Sequence, residues 1–182
     1  MSLTPLSDYL VALGLETLGH TDDTLFSHLF GVHRLLLEAG RDEEVCRAGV
    51  FHSIYGTETT QGFRLPLERR AELVQLLGAR GERLAYLNCA MDRASFDRAV
   101  EEGAPPFRFL DRITGAEVEL PAEDFGDLCA VHLCDWLEQV ARSRRGWGYR
   151  RGAYRGMADL AGRRAPAVYD RVFGAEPIAP TP

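Results

Sequence analysis

Two stretches, Phe26-Ser-His-Leu-Phe-Gly-Val-His33 and Cys46-Arg-Ala-Gly-Val-Phe-His52, the latter running on into Ser53-Ile-Tyr-Gly-Thr57, decide how this chain is read. In the first, Leu25, Phe26, Leu29, Val32, Leu35 and Leu36 recur at helical spacing. They predict a helix over 22–39, with Thr21 or Asp22 as its N-cap and Gly40 as its terminator. Asp42 is the expected cap of a second helix, from Glu43 to about Ile54, stopping at Gly56. His28 falls on the apolar face of the first helix, with Leu25 three residues before it, Val32 four after and Leu35 seven after. His52 stands at the end of the second, following Val45, Ala48 and Gly49 at matching spacings. A histidine turned into a core needs partners for its ring nitrogens, and a metal ion satisfies two such rings at once.

The helical pattern continues. Pro66 opens a predicted helix that runs to Leu77, and further helices are expected over 80–90 and 93–102. Gly103-Ala-Pro-Pro106 is a break. Phe107 to Leu120 follows, with Thr114-Gly115 as a turn signal, which predicts a small hairpin or irregular excursion. A long helix is expected over 121–142, carrying Leu128, Val131, Cys134 and Leu137. A loop of glycine and arginine over 144–152 and a short closing helix complete the chain. Residues 177–182 read as a disordered tail. There is no internal repeat and no linker, so the expectation is a single all-α domain over 1–176.

Composition narrows the function classes. With 46% hydrophobic and 26% charged residues, the chain reads as a globular protein with a substantial core. No stretch approaches the ~20 consecutive apolar residues that cross a bilayer, so no membrane partner is expected. Met1-Ser-Leu-Thr-Pro5 lacks the basic and apolar regions of a signal peptide, which points to a cytoplasmic location. The net charge of −6 argues against nucleic acid as a partner. All 21 basic residues are arginine, which excludes Schiff-base chemistry on lysine. Cys46, Cys89, Cys129 and Cys134 form no CxxC pair, so a cysteine-rich zinc site is not expected.

On the long helix, Asp135 has Leu128 and Val131 seven and four residues before it, on the buried stripe. A buried carboxylate without a cation or donors is costly. His28, His52 and Asp135 would satisfy one another around a divalent metal. Taken singly, each has an ordinary core role: a buried histidine commonly donates to a carbonyl, and a buried aspartate caps a helix or pairs with arginine. Asp92 or Asp127 would replace Asp135 if the helix register were shifted. His132 lies three residues before Asp135 on a neighbouring face.

The segment from His28 through Val-His-Arg-Leu-Leu-Leu-Glu-Ala-Gly40, then Glu43-Glu-Val-Cys-Arg-Ala-Gly-Val-Phe-His52, resembles the first half of an HD-superfamily domain. In length and apolar pattern it is most similar to the alarmone hydrolases. Val131-His-Leu-Cys-Asp-Trp-Leu-Glu-Gln139 resembles the later helix that supplies the closing aspartate of that family. Together with Ile54-Tyr-Gly-Thr-Glu58 and Ala71-Glu-Leu-Val-Gln-Leu-Leu-Gly78, the whole chain is similar to a group of small bacterial HD-like proteins. The resemblance implies a helical HD-like fold and a metal site at His28, His52 and Asp135. Ser53 stands where the family has a metal-ligating, bridging aspartate, which makes one ion more expected than two. Two histidines and one carboxylate suit iron, manganese or zinc.

His33 is about 140° round the helix from His28 and, with Ser53 and His132, is placed around the pocket rather than on the metal. Tyr55 and Glu58, in the loop after His52, are the candidate acid–base residues. Arginines between 142 and 151, interleaved with Trp147 and Tyr149, would grip a small anionic molecule, although a solvated face is the simpler reading. Three functions remain open at this point. One is a metal-dependent hydrolase of a small phosphorylated or nucleotide-like substrate. The second is an iron-dependent oxygenase on the same scaffold, and the third is a non-catalytic regulatory module.

Overall fold

Thr24 opens the decisive helix: its hydroxyl accepts the N–H of Ser27 at 3.1 Å, the usual way a threonine closes the first turn. The computed structural model describes residues 3–15, 19–20 and 23–177. Thr21 and Asp22, the caps expected from sequence, and residues 178–182 of the expected tail lie outside the described residues. Before Thr24 come α1 (Thr4–Ala12) and a two-residue antiparallel pairing of β1 (Gly19–His20) with β2 (Asp23–Thr24). Then α2 (Leu25–Glu38) turns His28, Leu29, Val32, His33, Leu35 and Leu36 inward. Gly40, at φ +78°, ends it, and Asp42 caps α3 (Glu43–Val50) by accepting from the N–H of Val45 at 3.0 Å.

α3 is shorter than its sequence pattern suggested. It ends at Val50, and residues 51–55 continue as turns, so His52 sits just past the helix. α2 and α3 pack closely because Gly49 has no side chain. A Cβ there would collide with Leu36 Cδ1.

The helix expected from Pro66 begins as a single 3₁₀ turn, Leu67–Arg69, which leads into α4 (Arg70–Leu77). α5 (Ala79–Ala90) and α6 (Arg93–Glu102) follow, the latter capped by Asp92. The excursion around 107–120 is a hairpin: β3 (Phe107–Leu110) pairs antiparallel with β4 (Glu117–Leu120), Phe107 opposite Leu120. α7 (Ala122–Gln139) is the spine of the fold and packs on α2, α3, α5 and α8. The closing segment is two helices rather than one, α8 (Arg151–Ala161) and α9 (Ala165–Phe173).

The molecule is thus largely helical, with two short two-stranded pairings that a purely all-α description omits. Phe107 of the hairpin stacks on Phe125 of α7 with ring centroids 4.3 Å apart, fixing the hairpin to the helical core. Each fully buried side chain of this kind contributes about 1.5–3 kcal/mol relative to exposure. All four cysteines are buried free thiols. None of the described helices is long and apolar enough to cross a membrane.

Candidate metal centre

α2, the turn after α3, and α7 bring three side chains to one point. His28 Nε2 lies 3.4 Å from His52 Nε2 and 3.2 Å from Asp135 Oδ1, and His52 Nε2 lies 3.4 Å from the same oxygen. An ion about 2.1 Å from each ligand atom spaces its ligands about 3.4 Å apart at the tetrahedral angle and about 3.0 Å apart at a right angle. The three atoms therefore form a face that one ion can occupy. Both histidines are buried.

The other nitrogen of each ring fixes its tautomer. His28 Nδ1 donates to the carboxylate of Glu138, and His52 Nδ1 donates to the carbonyl of Gly49 at 2.8 Å. With Nδ1 carrying hydrogen in both neutral rings, each Nε2 presents a lone pair toward Asp135. Two lone pairs and a carboxylate oxygen then face one another, an arrangement that requires a proton or a cation among them. Burial pushes the His28 ring down, but its hydrogen bonds to Asp135 and Glu138 more than offset this and raise its pKa to about 9. Burial likewise disfavours the Asp135 carboxylate, yet the neighbouring His52 and His28 hold it well below the usual carboxylate range. Gln139 Nε2 donates to Asp135 Oδ1 at 2.9 Å and orients it. The backbone at His52 is held by Asn88 Nδ2 and Cys89 Sγ, which donate to its carbonyl at 2.8 and 3.1 Å.

The alternative aspartates have other work. Asp127 accepts from Arg41 at 2.8 Å and pairs with Arg80, while Asp92 caps α6. His33 is buried, and it is not one of the three grouped side chains; burial pushes its ring's pKa down, with Glu43 opposing and Arg47 adding to the shift. His132 is buried beside the centre, but its Nε2 accepts from Arg150 Nη1 at 3.0 Å. Burial, with Arg93 and Arg150 nearby, keeps that ring neutral. Ser53 lines the cleft that opens from the centre.

The two proposed acid–base residues do not line that cleft. α3 ends early, and the turns that follow send Tyr55 inward, where its hydroxyl donates to Glu82 at 2.8 Å. Glu58 accepts the N–H of Arg93 at 3.1 Å, at the start of α6. Glu138 is the residue that sequence reading missed. It lies 110 positions from His28. Its signal was its place three residues beyond Asp135 on α7, with Arg142 one turn further on.

The cleft has a volume of about 440 Å³ and reaches from His52 and Asp135 to the loop after α7. Arg93, Arg142, Arg144 and Arg145 line it, as do Thr57, Thr59 and Thr60. Asp135 is the one carboxylate among its described lining residues. On a chain of net charge −6 this is a locally cationic hollow.

A family model described as a domain of unknown function, DUF6817, matches residues 9–93. That span contains His28 and His52 and stops short of Asp135. No curated protein and no solved structure matches the chain.

Proposed function

We propose that this chain is a metal-dependent hydrolase of a small phosphorylated or nucleotide-like substrate, built on a helical scaffold of the HD type. A single divalent ion would be held by His28, His52 and Asp135. The observation that carries the proposal is the triangle of three ligand atoms 3.2–3.4 Å apart opening into an arginine-lined cleft. Zinc, manganese or iron in such a site lowers the pKa of bound water toward neutrality. Three protein ligands leave coordination positions open on the cleft side, as catalytic sites require. Arg93, Arg144 and Arg145 would hold the substrate's anionic group, and Thr57, Thr59 and Thr60 would supply further hydrogen bonds. Ser53, in place of a bridging carboxylate, supports one ion rather than two.

A second reading, an iron-dependent oxygenase on the same ligands, draws support from one feature. Apart from Asp135, no carboxylate among the described residues lines the cleft to serve as a general base. Oxygen chemistry depends on open coordination positions more than on such a base. The test is phosphate release from a panel of small phosphorylated compounds by zinc- or manganese-loaded protein, run beside oxygen uptake by iron-loaded protein. Phosphate release lost in His52→Ala supports the hydrolase. Oxygen uptake lost in the same variant, with no phosphate release, replaces it with the oxygenase.

A further inference from the structure

We infer that Glu138 is the positioning residue of the metal centre, and that Gly31 exists as glycine to let it reach His28; the inference rests on the metal reading above. The Glu138 side chain is only 12% exposed. Its carboxylate accepts from Nδ1 of His28 and, at 2.5 Å, from Nη2 of Arg142. Both bonds fall on the same oxygen, Oε2, and Arg142 also donates through Nη1 to the Glu138 backbone carbonyl at 2.8 Å, so side chain and backbone of Glu138 are tied to one guanidinium. A carboxylate on the far nitrogen of a ligating histidine fixes which nitrogen meets the metal, sets the ring's angle, and makes the facing lone pair a stronger donor.

Gly31 supplies an independent observation. It lies three residues beyond His28 on α2, on the side facing α7. A Cβ there would stand 2.7 Å from Glu138 Cγ, 2.9 Å from its Oε1 and 3.0 Å from its Cδ. The middle of a helix is a poor place for glycine, since the residue costs conformational entropy there. An ordinary surface pair between Glu138 and Arg142, one turn apart on a single helix, would need no such gap on another helix. The gap is explained by the need to bring this carboxylate against the back of His28.

The experiment is a titration with Co²⁺ alone in a chelator buffer at pH 9, where competition by protons is slight. It follows the visible absorption bands of the bound ion in wild type, Glu138→Ala, Glu138→Gln, Gly31→Ala and the Gly31→Ala/Glu138→Ala double variant. Thermal unfolding of each protein without metal serves as the folding control. Glu138→Ala is expected to weaken Co²⁺ binding 10- to 100-fold. Glu138→Gln, which keeps an acceptor oxygen, should recover part of that loss. Gly31→Ala should weaken binding and alter the bands without lowering the melting temperature, because alanine is the better helix former. In the Glu138→Ala background the added methyl should change affinity no further, since the side chain it displaces is gone. Equal affinity in wild type and Glu138→Ala, or additive losses in the double variant, would overturn the assignment while leaving the metal reading intact. Wild-type protein that takes up no Co²⁺ would overturn the metal reading and this assignment with it.

Discussion

An ion bound at this centre would compete with a proton for the Nε2 lone pair of His28, and that competition has a calculable size. The competing proton, on Nε2, faces Asp135, while Glu138 accepts from Nδ1; against the cost of burial, the two carboxylates raise the ring's pKa to about 9. At pH 7 only about one molecule in a hundred would then present a neutral ring, because two pH units separate the conditions. Apparent affinity for Zn²⁺ or Mn²⁺ should accordingly be about 100-fold weaker at pH 7 than above pH 9, rising about tenfold per unit between. Each ion bound in that range should release at least one proton. The stability of chelator-treated protein should run the opposite way. A ring whose pKa is raised by folding stabilises the fold fully below its unfolded value of about 6.5, and that contribution fades as pH climbs through about 9. Its ceiling is about 3 kcal/mol. The assay is isothermal titration in buffers of differing ionisation enthalpy between pH 6.5 and 8.5, which yields affinity and proton release together. Affinity that is flat across that range, with no proton released, would refute the reasoning.

Arg93→Ala and Arg144→Ala should each weaken binding of inorganic phosphate to the metal-loaded protein about tenfold, with metal content unchanged, as expected for the loss of one charge-assisted hydrogen bond. Phosphate affinity in the wild type should also fall with added salt. Gly49→Ala drives a methyl into Leu36 and should cost about 1–3 kcal/mol, seen as a melting temperature roughly 3–10 °C lower. Tyr55→Phe removes the hydroxyl that donates to Glu82 and should cost about 1 kcal/mol of stability while leaving metal affinity unchanged. A large loss of metal affinity in that variant would return Tyr55 to the centre.

The grouping of His28, His52 and Asp135, which could hold an ion, was legible in the sequence because helical periodicity determines which way a residue faces. His28 has apolar neighbours at three-, four- and seven-residue spacings and Asp135 at four and seven, and both point where those spacings place them. The same logic could not reach Glu138. Its place one turn beyond Asp135 puts it on the same side of α7, but its partner is on another helix 110 positions away, so the local signal does not name His28. Gly31 was equally silent, since a glycine in a helix announces a close approach without naming what approaches. Tyr55 and Glu58 stand off the cleft. The pattern carries the second helix to about Ile54, with Gly56 as its stop, but it ends at Val50, and the turns that follow bring the Tyr55 hydroxyl to Glu82. The start of α2 was ambiguous because four residues competent to cap, Thr21, Asp22, Asp23 and Thr24, stand in a row. The two short strand pairings involve too few residues to leave an alternating pattern, except in the hairpin, where Thr114-Gly115 marked the turn.

The most direct test of the account is elemental analysis of protein purified without chelator, comparing wild type with His52→Ala and Asp135→Asn. Wild type should hold close to one divalent ion per chain, and both variants should lose most of it while still folded by circular dichroism. Wild-type protein that holds no transition metal, or variants that retain a full complement, would contradict a centre built on His28, His52 and Asp135.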